Sequence, residues 1–209
     1  EEQKGLGILN IEKYAKLFGL GEMSGIDLPD EIGGTIPSPE WKEKNFAGDP
    51  WRVGDTYHTV IGQYGFQVTP LQMARAIAAI ANYGTLPTPH LILGDKEKEE
   101  KISVIDLPKE YFDVVHEGMR AAVSYGTAVT LNVPYVNVAA KTGTAQLGAE
   151  KNRVNSWIVG FFPYENPKYA FTVMMESGPT GGASASSIMR QLLDWMSANT
   201  PEYFQGSTL

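Results

Sequence analysis

The 209-residue chain is 43% hydrophobic, 20% charged and 11% aromatic, the balance of an ordinary globular protein of one large or two small domains. Its 17 basic and 24 acidic residues leave a formal charge of -7, which argues against nucleic acid as a partner, because phosphate binding needs a basic face. Without cysteine there is neither a disulfide framework nor thiolate chemistry, and no apolar run approaches the roughly 18 residues of a membrane span.

In chain order, Asn10 to Phe18 reads as a short helix, with Asn10 as cap, Ile11, Tyr14, Ala15 and Phe18 on one face, and Gly19 as stop. From Gly21 to about Tyr64 the chain is rich in proline and glycine and reads as a long turn region without regular structure. The next helix is well marked. Thr69 caps it, Pro70 takes the first position, and Gln72 completes a Thr-x-x-Gln capping box ahead of Leu71, Ala74, Ile77, Ala78 and Ala81. His90 to Ile92 and Lys101 to Ile105 are expected to pair as a hairpin across a charged tip from Gly94 to Glu100.

Pro108 opens a third helix running to about Tyr125, whose expected buried stripe is Tyr111, Val114, Val115, Met119, Ala122 and Val123. Val136 to Ala140 reads as a strand that ends at Lys141-Thr142-Gly143-Thr144. Asn155 to Phe162 and Tyr169 to Glu176 form a hairpin around Tyr164-Glu165-Asn166-Pro167. Ser184 caps a last helix with Ile188, Leu192, Trp195 and Met196 on one face. Strands in a row between long helices indicate an α+β fold, an antiparallel sheet flanked by helices.

Lys141-Thr142-Gly143-Thr144 carries the chemistry. On an edge strand it presents free N–H and C=O groups to which an extended peptide adds as an extra strand. Gly143 leaves room for a ligand backbone, Thr142 and Thr144 offer hydroxyls to a terminal carboxylate, and Lys141 adds a positive charge. A random chain of this size contains Lys-Thr-Gly about one time in twenty, so the triplet gains its weight from its placement. His58, His90 and His116 are widely spaced and lack metal-ligand partners, so structural roles are expected and neither metal nor cofactor is called for. Trp41, Trp51, Tyr57 and Tyr64 are expected to anchor loops, with Gln63 as a weaker cleft candidate.

Lys-Thr-Gly is also one of three signatures of penicillin-recognising serine enzymes. Gly25-Ile26-Asp27-Leu28-Pro29, Ile36-Pro37-Ser38-Pro39-Glu40-Trp41, Trp51-Arg52-Val53-Gly54-Asp55-Thr56, Ile61-Gly62-Gln63, Val68 to Ala74, Gly126-Thr127-Ala128, Ala140 to Gln146 and Trp157 to Phe161 extend the likeness over nearly the whole chain. Together they resemble the C-terminal part of the transpeptidase domain of class B penicillin-binding proteins, in particular the elongation-type penicillin-binding protein 2. That resemblance implies a serine-type D,D-transpeptidase that cross-links peptidoglycan stem peptides, is acylated by β-lactams, and serves cell-wall growth and cell shape. It implies an electrostatic and proton-relay role for Lys141, a grip on the carboxylate by Thr142 and Thr144, and half of the oxyanion hole from the Thr144 N–H. Gly143 and Gln146 join the expected substrate-binding set. It further implies a place on the extracytoplasmic face of the bacterial inner membrane, with an anchor outside this chain, and work alongside a glycan polymerase and morphogenesis proteins.

The departure from the pattern is specific. No serine in the chain is followed by lysine at the third position, and the only Ser-x-Asn, Ser197-Ala198-Asn199, lies after Lys-Thr-Gly on the closing helix. Residues 1–209 are therefore expected to be the C-terminal portion of such a domain, inactive alone, with apolar faces left for the missing portion or a second copy. A binding module without a nucleophile, or a serine β-lactamase or β-lactam sensor domain, is the alternative. The 21–64 stretch argues against the β-lactamases.

Overall fold

A computed structural model describes residues 5–92, 102–148, 153–179 and 184–204. Its centre is a three-stranded antiparallel sheet of β3 (Ala139–Leu147), β4 (Arg153–Phe162) and β5 (Tyr169–Pro179) in the order β3-β4-β5. Helices α4 (Pro70–Ala81) and α5 (Lys109–Ser124) cover one face, where Ile77, Ala81 and Met119 pack on Ala139, Val159 and Phe161. Helix α6 (Ala185–Asn199) covers the other, where Met189 and Leu193 meet Ala140, Ile158, Phe162 and Phe171. The α+β class expected from the sequence is the one observed.

Helix α4 begins as its capping box requires. Thr69 Oγ1 accepts from Gln72 N, and Gln72 Oε1 accepts from Thr69 N, both at 3.2 Å. Gln72 is fully buried, and its amide also donates to the carbonyls of Glu22 and Gly33 at 2.6 and 2.7 Å. The cap thus ties the proline- and glycine-rich stretch to the helix that underlies the sheet.

That stretch is more regular than its composition suggests. It contains α2 (Pro39–Asn45), capped by Ser38, and α3 (Val53–Val60), in whose first turn Asp55 accepts from Arg52 N at 2.7 Å. Lys42 joins the two helices, with Nζ 2.7 Å from Asp55, 2.8 Å from Asp49 and 3.0 Å from the Pro50 carbonyl. The rings of Trp41, Phe46, Trp51 and Tyr64 close around them, as anchoring predicts. Tyr57 stands outside that cluster and is exposed. Helices this short are held by such contacts rather than by periodicity, which is why the sequence does not show them.

Other expectations also shift. Helix α1 (Ile8–Leu17) starts after Gly7, and Asn10 lies inside it, donating to the Leu6 carbonyl at 2.9 Å instead of capping. The early hairpin pairs β1 (Thr85–Leu86) with β2 (Ser103–Val104) and not His90 to Ile92; its charged tip and Lys101 lie outside the described residues. In α5 the buried stripe is Phe112, His116, Met119 and Val123, while Tyr111, Val114 and Val115 face out. In α6 it is Ala185, Ser186, Met189 and Leu193, while Ile188, Leu192 and Trp195 remain 44, 45 and 57% exposed. Both helices carry two apolar stripes, and the sheet selects the one containing the residues that fit between its own side chains.

Candidate active site

Lys141-Thr142-Gly143-Thr144 lies within β3 and not at its end, because the strand starts at Ala139 and continues to Leu147. Among the described residues β3 pairs with β4 on one side only, and its other edge has no strand partner. Backbone groups alternate along an antiparallel edge. The Asn137 carbonyl accepts from Tyr164 N, and a Cβ on Gly160 would collide with the Ala139 carbonyl, so the odd-numbered residues face β4. The even-numbered residues Thr142, Thr144 and Gln146 therefore turn their N–H and C=O groups outward. Two outward carbonyls have side-chain partners: Val138 accepts from Arg120 Nη1 at 3.2 Å, and Thr142 accepts from Lys141 Nζ at 2.6 Å.

Side chains alternate across the same strand. Thr142, Thr144 and Gln146 lie on the face of Ala140, the one covered by α6, with Thr144 and Gln146 exposed. Thr144 sits opposite Ser156, whose Oγ accepts from Ala185 N at 3.1 Å, so the positive end of α6 shares a face with the two threonines. Lys141 and Gly143 lie on the opposite face. A Cβ on Gly143 would come within 3.3 Å of the Trp157 Cβ, so glycine lets β3 lie close over that ring. The strand thus brings together every residue singled out for the site: Lys141, Thr142, Gly143, Thr144 and Gln146.

Two contributors were not legible beforehand. Thr127, in the turn after α5, accepts a hydrogen bond from Thr142 Oγ1 at 2.9 Å. Arg120 holds the entry to the strand, and Asn137 beside it also bonds Glu165. The Gly126-Thr127-Ala128 turn was visible in the sequence, but nothing local to it points to Thr142.

The other candidates stay apart from this edge. His116 is a core residue, with Nε2 2.8 Å from the Ile80 carbonyl and its ring 4.8 Å from that of Phe161. His90 lines a recess of about 430 Å³ with Thr85, Pro87, Thr88, Pro89 and Ile102, none of which belongs to β3. Gln63 lies in the turn after α3, its N–H bonded to the His58 carbonyl. Asn199 of the stray Ser-x-Asn bonds the Trp195 carbonyl within its own helix.

The described residues thus place two outward threonines, a lysine and a glycine on one strand edge of an α+β domain whose sheet is backed by helices on both faces. Residues 2–194 match the family model of the penicillin binding protein transpeptidase domain, and the chain belongs to that family. It is 33% identical over 214 residues to the peptidoglycan D,D-transpeptidase MrdA of Escherichia coli K12, covering 90% of this chain and 33% of that protein. The MrdA of Acinetobacter baumannii is 31% identical, over 91% of this chain and 31% of that protein. Among solved structures, penicillin-binding protein 2 of Helicobacter pylori in complex with MreC is 34% identical with a TM-score of 0.81, over 93% of this chain and 36% of that one. Pseudomonas aeruginosa PBP2 in complex with WCK 5153 is 32% identical with a TM-score of 0.78, over 91% of this chain and 43% of that one. The chain spans about a third of the length of the curated relatives that it matches. Among the described residues no helix is long and apolar enough to cross a membrane.

Proposed function

We propose that this chain is the C-terminal portion of a peptidoglycan D,D-transpeptidase domain and forms the carboxylate-holding wall of its active site. The observation that carries the reading is the open edge of β3, where Thr142 and Thr144 face outward in an antiparallel register with β4. A stem peptide ending in D-Ala-D-Ala adds along this edge as an antiparallel strand. The hydroxyls of Thr142 and Thr144 donate to its terminal carboxylate, and Gln146 continues the edge beyond them. Gly143 keeps the approach clear. Lys141 is exposed, and among the described residues its Nζ bonds the neighbouring Thr142 carbonyl, so it reaches the reacting groups by exchanging that hydrogen bond.

The nucleophile is a serine from outside this chain, a reading that the lack of any Ser-x-x-Lys supports. It adds to the carbonyl of the penultimate D-alanine, and the Thr144 N–H supplies half of the hole that receives the negative oxygen. The C–N bond to the last residue then breaks, and D-alanine leaves with the proton taken from the serine. An amine of a neighbouring stem attacks the ester, forms the cross-link and returns the proton to the serine. A β-lactam enters the same cycle at the first step and stays as an ester.

Uncovered apolar surface supports the reading as a portion of a larger domain. Among the described residues strand β5 has a strand partner on one side only, and α6, which packs on β4 and β5, leaves Ile188, Leu192 and Trp195 exposed. In the complete protein, an anchor places the site on the extracytoplasmic face of the inner membrane, with a glycan polymerase and a morphogenesis protein as partners. Relatives support this: one solved neighbour is a complex of penicillin-binding protein 2 with MreC, and another, with a TM-score of 0.79, belongs to a peptidoglycan synthase complex. The test is labelling with a fluorescent penicillin. The chain extended upstream through a Ser-x-x-Lys segment should label, and the 209-residue chain should not. Labelling of the short chain, or none of the long one, overturns the proposal.

A further inference from the structure

We propose that Thr127 is a positioning residue that sets the donor direction of the Thr142 hydroxyl and thereby the strength of the grip on a carboxylate; this rests on the carboxylate-holding role given above to Thr142 and Thr144. The two hydroxyl oxygens are 2.9 Å apart, although the residues are fifteen apart in sequence.

A hydroxyl has one proton and two lone pairs, so Thr142 cannot donate to Thr127 and to a ligand at once. In the ligand-free chain its proton points to Thr127. Once a carboxylate occupies the edge, that proton turns to the anion, because a hydrogen bond to a charged acceptor is about twice as strong as one between neutral groups. Thr127 then turns its own proton to the Thr142 oxygen. The same contact persists with its direction reversed, and both hydroxyls stay satisfied. The resulting chain from Thr127 through Thr142 to the carboxylate is polarised along its length, which strengthens its outer bond. No backbone movement is needed.

Thr127 is fixed well enough for this task, although its side chain is exposed. Gly126 N and Ala128 N both donate to the Ala122 carbonyl, at 3.1 and 2.9 Å, and Ala128 is fully buried in the core next to Leu131. A Cβ on Gly126 would come within 2.8 Å of the Ala122 Cα, so glycine is what lets the turn fold back on α5 and aim Thr127 at β3. Arg120, two turns earlier on the same helix, bonds the Val138 carbonyl and keeps that helix against the strand edge.

The test uses the complete protein with its upstream serine and compares Thr127→Val and Thr127→Ser with the unchanged sequence. Acylation rates are measured for benzylpenicillin and for its methyl ester, in which the carboxylate is masked. Thr127→Val should slow benzylpenicillin about five- to tenfold, the value of one hydrogen bond, and the ester less than about twofold. Thr127→Ser should restore the penicillin rate, and thermal midpoints should agree across the three proteins. Equal slowing with both compounds, or no slowing with benzylpenicillin, overturns the inference. If the unchanged protein is not acylated at all, the transpeptidase reading itself fails and takes this role with it.

Discussion

Arg120 and Asn137 meet at the seam between α5 and the sheet, with Nη2 donating to Asn137 Oδ1 at 2.7 Å. Asn137 in turn accepts Tyr164 N at its carbonyl at 2.8 Å and bonds Glu165 through its amide, so this residue, two before the strand, is held from α5 on one side and from the β4–β5 turn on the other. The edge that presents Thr142 and Thr144 begins five residues later. Arg120→Ala should cost about 1.5–3 kcal/mol, the range for hydrogen bonds to a charged group. It should also speed hydrogen exchange at the Lys141 and Gly143 amides, which face β4. Urea melts and exchange rates check this; unchanged values in both would remove Arg120 from the site's support.

The cluster around Lys42 predicts a pH dependence. The Arg52 and Lys42 side chains hold the Asp49 carboxyl well below the usual carboxylate range. Lys42, with the Arg52 N–H, also lowers the Asp55 carboxyl from its ordinary value. A carboxyl with a depressed folded value stabilises the fold fully above the unfolded value and loses that contribution as pH falls through the folded one. Stability should therefore decline below about pH 4. Lys42→Met should lower urea midpoints at pH 6 and shrink the difference between pH 6 and pH 3. An undiminished difference would show that the acid sensitivity arises elsewhere.

The two glycines of the β3–β4 pair should separate function from stability. Gly143→Val fills the space over Trp157 and displaces the ligand backbone, so penicillin acylation of the complete protein should fall about a hundredfold. The added Cβ would press on the Trp157 Cβ at 3.3 Å, so the fold should lose about 1–2 kcal/mol, less than the loss of acylation would suggest. At Gly160 a Cβ meets the Ala139 carbonyl and lies 2.7 Å from the Phe171 ring. Gly160→Ala should cost about 1–3 kcal/mol, as overpacking does. Acylation and denaturant midpoints measured together check both; a Gly143→Val protein with normal acylation would rule out ligand approach along this edge.

The outward stripe of α6 predicts self-association of the isolated chain. Ile188, Leu192 and Trp195 are exposed on a helix that packs against β5, which among the described residues is paired on one side only. Sedimentation should show association of the chain alone, and its reduction in a protein extended upstream. Leu192→Ser with Trp195→Ser should relieve the association while changing monomer stability by about 0.5 kcal/mol or less. A chain that stays monomeric at high concentration would mean that this face needs no cover.

Much of the architecture is legible along the chain. The α4 capping box, the β4–β5 hairpin and the Ser184 cap of α6 occur where local chemistry puts them. The misplacements share a cause. Helices α2 and α3 are too short for periodicity to reveal and depend on the buried Lys42, while α5 and α6 have two apolar stripes each. A sequence reports that a stripe exists and not which neighbour will cover it.

The sequence alone determined the family pattern, the α+β order of elements, the candidate site residues Lys141, Thr142, Gly143, Thr144 and Gln146, and the lack of any Ser-x-x-Lys. Only the tertiary structure decided that this motif runs mid-strand along an open edge, with Thr127 behind Thr142 and Arg120 behind Val138. Those pairs lie fifteen and eighteen residues apart, joined by hydrogen bonds that form only once α5 has packed against β3. Local pattern records which groups each residue offers; which groups meet depends on how the helices seat on the sheet, and that is settled by the core beneath them.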